Sequence, residues 1–311
     1  MITQFSAQTF RNRLTIAVVL LLFAVASQAE QRSSRTLDQA PERRGDSVSV
    51  YEQRLIEIVL EEQRLERYVA REDAEYSEAQ RRFHAVSRQY LTLIANNPDQ
   101  LEPRLLYGKL LNRYGDGLGA LEQFHAALDI NPDVPMAYQQ LSVIYAEEGD
   151  YGTAFAYALE AVERDPSEAV YHYGIGELIT YFRDEMVADE VNNAEELDAQ
   201  MIRAFAQAAE LKPASVSMQF RYGESYYDMM DPDWEGALKQ WRRMAETLGE
   251  FMGDTERDAL RLHTARVLAE LGRMDEAREE ADRVTKSGLL PTRDDLIRQF
   301  DEWIEREGED D

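Results

Sequence analysis

Four histidines, His84, His125, His172 and His263, titrate closest to neutral pH and are the natural candidates for proton transfer or metal ligation. They are widely spaced, and none has a second histidine three or four residues away to place two imidazoles on one helical face. Cysteine is absent, which removes thiol nucleophiles, thiolate ligands and disulfides together. A Gly-rich phosphate loop, a Gly-x-Ser-x-Gly elbow and a His-Glu-x-x-His pair are also missing. The acidic stretch from Arg183 to Leu197, with Asp184, Glu185, Asp189, Glu190, Glu195 and Glu196, has enough carboxylates to attract calcium. It lacks the alternating ligands around a central glycine that a calcium loop needs, and reads as a solvated extension of helix or loop. No catalytic residue, metal ligand or cofactor is expected. The chemistry that remains is recognition.

The elements that would carry it are legible in a spacing. Pro98, Pro132 and Pro166 stand 34 residues apart, each after Asn or Asp. The residue before a proline is pushed out of the α region, so each pair ends one helix and opens the next. Counting back from Pro132 and Pro166, equivalent positions hold Gly108, Ala120 and Ala127 in one unit and Ser142, Ala154 and Ala161 in the next. All are small, as helix crossings at about 8 Å require. Tyr107, Leu111 and Phe124, then Tyr138, Leu141 and Tyr145, are the large residues between them and the expected core.

This pattern of period and residue types resembles the tetratricopeptide repeats, helix-turn-helix units of the same length. The resemblance covers residues 97–290 and continues less regularly after Pro166. Pro213 closes a third unit 47 residues later, so 13 residues are inserted, placed at about 183–197. Tyr222-Gly223, Tyr226, Ala237 and Trp241 mark a fourth unit, and Leu271-Gly272 through Ala277 a fifth, with Leu289 where the closing proline is expected. The resemblance implies an all-α fold, a right-handed superhelical solenoid of helix-turn-helix repeats, whose first helices line a concave groove. On this sequence the groove residues would be Lys109, Asn112, Gln139, Tyr173, Glu177, Tyr181, Phe220, Glu224, Tyr227 and Arg266. Tyrosine offers contact area at low entropic cost, while Glu177 and Glu224 would favour a basic residue on a protein or peptide partner. Each tyrosine is equally compatible with packing between repeats. A family clamp for a terminal carboxylate could draw here on Lys109, Asn112 and Arg113 alone.

Residues 1–29 read as an export signal: Arg11 and Arg13, an apolar run from Leu14 to Ala26, and Ser27-Gln28-Ala29 as cleavage site. The run is too short to cross a bilayer comfortably, though a retained anchor is the alternative. Cleavage leaves no membrane span, and no cysteine is available for lipidation, so a periplasmic or secreted protein is expected. Removing this segment, with two arginines and no acid, takes the net charge from −26 to −28, which disfavours nucleic acid.

Residues 30–48 are polar and without periodicity, a flexible linker. Over residues 49–96 an apolar seam at heptad spacing, broken by Glu62 and Glu72, fits either an N-terminal helical pair or a coiled coil. Ser49 with Glu52, and Ser77 with Gln80, have capping-box spacing. A coiled coil before such repeats would be similar in layout to partners of the Tol-Pal envelope machinery. Residues 291–311 are expected to form a capping helix and acidic tail. The expected function is a non-enzymatic scaffold or adaptor of the cell envelope, the alternative an oligomeric structural component of an envelope assembly or division machinery.

Overall fold

The computed structural model describes residues 49–309, with side chains through Glu302. The expected signal (1–29) and linker (30–48) lie outside the described residues. Two compact units divide between Asp165 and Pro166.

The described part of the first unit is six helices: α1 (Val50–Val69), α2 (Tyr76–Asn96), α3 (Glu102–Arg113), α4 (Gly117–Ile130), α5 (Pro135–Glu148) and α6 (Tyr151–Arg164). They pack as consecutive antiparallel neighbours. Their boundaries follow local chemistry. Ser49 and Glu52 form the reciprocal capping box at the start of α1, at 3.1 and 2.8 Å. Asp116 and Asp150 cap α4 and α6 by accepting from the amides of Gly119 and Thr153. Pro103 and Pro135 sit in first turns, where a missing N–H leaves no bond unmade. Gly149 closes α5 at φ +84°, a left-handed value that a side chain would strain.

The expected second box at Ser77 does not form. Glu75 takes the cap position without a side-chain bond and Ser77 is already inside α2. The α1–α2 turn is held instead by Tyr68, whose hydroxyl accepts from the Glu75 amide at 3.0 Å and whose ring carries the Arg82 guanidinium at 4.5 Å. Glu72 lies exposed in this turn, while Glu62 takes the Tyr90 hydroxyl at 2.6 Å and Arg113 at 3.4 Å. One interruption of the apolar seam marks the turn and the other a half-buried polar contact. The core joins Ile58 and Leu65 of α1 to Tyr90, Tyr107, Leu111 and Phe124, with Ala120, Ala127 and Ala137 fully buried where helices cross.

The second unit holds α7 (Ala169–Ala188), α8 (Ala194–Leu211), α9 (Val216–Ser225), α10 (Trp234–Leu248), α11 (Asp254–Glu270), α12 (Met274–Asp282), a 3-10 turn (Ser287–Leu289) and α13 (Leu290–Glu309). The inserted residues lengthen α7 past an irregular residue, Phe182 (φ −130°, ψ 19°), and Asn193 then caps α8. Asp184, Glu185, Asp189 and Glu190 are exposed on this extension, whereas Met186 and Leu197 are buried beneath it. Arg183 and the buried Asp198 pair at 2.7 Å. Asp198 also accepts the Met230 amide at 2.8 Å, and Arg183 donates to the Asp228 carbonyl. At the other end Asp258 of α11 is buried and takes the amides of Thr285 and Lys286 at 2.7 and 2.8 Å with Arg261 at 2.7 Å. Helix α13 buries Phe300 against α11 and α12. Among the described residues no helix is long and apolar enough to cross a membrane.

Candidate partner-binding face

Seven of the ten expected groove residues fall in the second unit and three in the first. In the first unit Lys109 and Asn112 lie half-buried on α3, and Gln139 on α5 accepts from Gln140 at 2.7 Å. Burial lowers the Lys109 pKa from its ordinary value, with the negative charge of Glu62 opposing.

In the second unit the residues form one continuous cluster across α7, α9 and α11. Gly176 and Gly223 let the next helix's aromatic ring press on the backbone: a Cβ at Gly176 would lie 2.6 Å from the Phe205 ring, and one at Gly223 would overlap Trp241. Beside Gly176, Glu177 is 2% exposed and accepts Arg221 Nε at 2.5 Å. The other arms of that guanidinium donate to Asp228 at 2.8 Å and Thr180 at 2.7 Å, and its face covers Phe205 at 4.3 Å. Each of its three nitrogens donates to one acceptor while a ring lies against the guanidinium face, an arrangement suited to arginine. Tyr173, 4% exposed, packs edge-on to Phe205, and burial followed by the charge of Glu177 raises its hydroxyl pKa.

The expectation of an accessible groove residue therefore fails at Tyr173 and Glu177. Helical spacing put them on the inner face, but Phe205 and Arg221 from later helices cover that part of it.

The remaining five stay at least partly open. Tyr181 is 42% exposed. Glu224 is half-exposed, and burial raises its carboxyl above the ordinary range while Arg221 opposes. Its neighbour is His263 Nε2 at 3.6 Å. Burial first, then the adjacent Arg266, pull His263 down to about 4, so the imidazole is neutral at neutral pH. The His263 ring stacks on Trp241 at 4.7 Å and lies near Phe220 and Tyr227 at 5.6 and 6.1 Å. Tyr227 accepts the Trp241 indole N–H and packs on Trp234 at 5.4 Å, so its ring is largely structural. The Arg266 guanidinium rests over the Tyr227 and Trp234 rings at 5.1 and 6.0 Å.

Reasoning from sequence passed over Arg221, His263 and Trp241 as parts of this face. His263 was weighed as a lone histidine. Its signal was positional, one residue after Leu262 on a first helix, as Arg221 follows Phe220. Among the described residues no group of three or more His, Asp or Glu side chains is placed to hold a metal ion.

Residues 137–168 match the family model of the tetratricopeptide repeat. That span takes in α5 from Ala137 onward and the whole of α6, so this helix pair matches a tetratricopeptide repeat, and the helix pairs around it in sequence make the fold an all-α helical repeat. Among solved structures, a Naa15/Naa10 complex bound to HypK-THB aligns at TM-score 0.52 and 12% identity, over 84% of this chain and 35% of that one, a likeness of fold alone. PilF of Pseudomonas aeruginosa aligns at 0.49 and 14% over 74% of this chain and 89% of that one. YrrB, a repeat protein described as having an unusual peptide-binding site, aligns at 0.48 and 17% over 63% and 90%. No curated protein matches the sequence.

Proposed function

We propose that the chain is a non-enzymatic interaction scaffold that seats a polypeptide partner on the face of the second unit formed by Tyr181, Phe220, Glu224, Tyr227 and Arg266. The observation carrying this reading is Glu224, a half-exposed carboxylate with no guanidinium or ammonium bound to it among the described residues, in a unit that also leaves Tyr181 exposed. Aromatic area flanked by one unmatched acid, Glu224, and one exposed guanidinium, Arg266, has the composition of a recognition surface, with a basic residue on the partner answering Glu224. A photo-crosslinking amino acid at Tyr181, compared with one at exposed Arg203 on α8, tests it in native cells. A distinct adduct from position 181 supports the face; equal labelling at both, or none at 181, overturns it.

Export belongs to the same proposal. The short apolar run and the Ser27-Gln28-Ala29 site support cleavage after Ala29 and a periplasmic or secreted location.

A structural role in an envelope assembly, the Tol-Pal-like layout included, is the second reading. Ile56 and Leu60, 54% and 46% exposed on neighbouring turns of α1, favour it as a point of self-association. Sedimentation of the purified chain with and without Leu60→Glu decides between an oligomer joined there and a free scaffold.

A further inference from the structure

One four-part arrangement occurs twice in the second unit. In the first copy the glycine is Gly176 on α7, the ring pressed on it is Phe205 of α8, and the acid is the next residue, Glu177. The side chain arriving from the following first helix, α9, is Arg221, which covers the ring at 4.3 Å and binds the acid at 2.5 Å. In the second copy the glycine is Gly223 on α9, the ring is Trp241 of α10, and the acid is Glu224. The side chain arriving from α11 is His263, which covers the ring at 4.7 Å and stands 3.6 Å from the acid. Glu224 follows Glu177 by 47 residues, the same interval that separates Pro213 from Pro166.

His263 thus occupies the place of Arg221 without its charge or its reach. At 3.6 Å the contact is too long for a hydrogen bond. The strongly buried carboxylates of this unit are matched: Glu177 by Arg221, Asp198 by Arg183, Asp258 by Arg261 and two amides. Glu224 is only partly desolvated, yet it has neither a guanidinium nor an ammonium on it among the described residues, and Arg266, resting on Tyr227 and Trp234, makes no ion pair with it. A partly buried, unmatched carboxylate carries a desolvation cost that a cation from outside removes.

We infer that Glu224 is a seat for an arginine of the partner polypeptide, whose guanidinium takes at the second copy the role that Arg221 fills at the first. This deepens the reading of the second unit as the binding face and rests on it. The first copy displays the geometry that fits: a carboxylate against the fork and an aromatic face, Phe205, beside it; at the second copy the neighbouring rings are those of Phe220, Tyr227 and His263, which lie together. An ammonium would meet the charge but not the planar surfaces.

The test uses the chain as purified and N-acetyl-argininamide, a single guanidinium without a carboxylate, as probe. N-acetyl-alaninamide at matched ionic strength is the control. The readout is the His263 imidazole proton resonance, assigned by its loss in His263→Gln. Saturable movement with the guanidinium and none with the control is expected, and Glu224→Gln should weaken the response about tenfold or more. His263→Arg has no imidazole, so it is followed through the Trp241 indole N–H resonance, which is recorded for wild type as well; the arginine should fill the seat from within, abolishing the probe response while raising the melting temperature. A wild-type resonance that moves no more than with the control, or a His263→Arg chain that binds the probe as well as wild type, overturns the inference. Failure is separable from failure of the face itself: adducts from position 181 with a silent probe retire the seat and leave the face, and a responding seat without adducts does the reverse.

Discussion

Arg221 and Glu177 are joined at 2.5 Å across 44 residues of sequence, with side chains 13% and 3% exposed. This pair fastens α9 to α7, and a buried pair is costly to break on one side only. Arg221→Ala is expected to lower unfolding free energy in urea by about 3 to 5 kcal/mol, because it strands the Glu177 carboxylate. The double replacement Glu177→Gln with Arg221→Met should lose much less. Equal losses would mean that the charge is not what matters there.

At the crossing of α5 and α6, Ala154 is fully buried while Glu163, about two and a half turns away on α6, is exposed. Ala154→Leu should cost about 1 to 3 kcal/mol through overpacking, and Glu163→Leu close to nothing. Coincident denaturant midpoints would contradict the repeat register.

The two tyrosines once equivalent as groove candidates now separate. Tyr181→Ala should leave the melting temperature nearly unchanged and weaken adduct formation with the partner. Tyr227→Ala removes the acceptor of the Trp241 indole and a ring packed on Trp234, and should destabilise by about 3 kcal/mol. A thermal melt of each variant distinguishes them.

Acid should loosen the second unit through His263. Its pKa is 6.5 in an unperturbed chain and about 4 when folded. Below 6.5 the unfolded chain takes up a proton that the folded chain refuses, so stability is full above that pH and falls by about 3 kcal/mol as pH drops toward 4. Glu224, raised by burial, acts in the opposite sense, since the folded chain protonates it first. His263→Phe should flatten the decline, and Glu224→Gln should steepen it. Chemical denaturation between neutral pH and pH 4 measures both.

The helix boundaries were legible because steric rules act within a few residues: Asn-Pro pairs stop helices, and Ala120, Ala127, Ala154 and Ala161 must be small wherever they cross. The face was half legible. Helical periodicity says which way Glu177 and Glu224 point from their own helices, and treats them alike. It is silent about what the next repeat lays on top, a guanidinium in one case and an imidazole in the other. Glu62 shows the same limit: an interruption in an apolar seam becomes an acceptor once Tyr90, 28 residues on, folds against it. Ser77 shows a local limit, since a correctly spaced capping box is passed over when Tyr68 ties the turn differently.

Asp198 has a consequence for how the chain comes apart. Stacked repeats ordinarily fray from their ends, one unit at a time. Here Asp198 at the start of α8 grips both Arg183 on the extension of α7 and the Met230 amide between α9 and α10, and Arg183 reaches the Asp228 carbonyl beside it. Those bonds sew the third and fourth repeats into a single opening unit, so amide protons of α7 through α10 should exchange with one shared free energy. Asp198→Asn would cut the stitch, letting α9 and α10 exchange ahead of α7 and α8 and turning an all-or-none block back into a zipper.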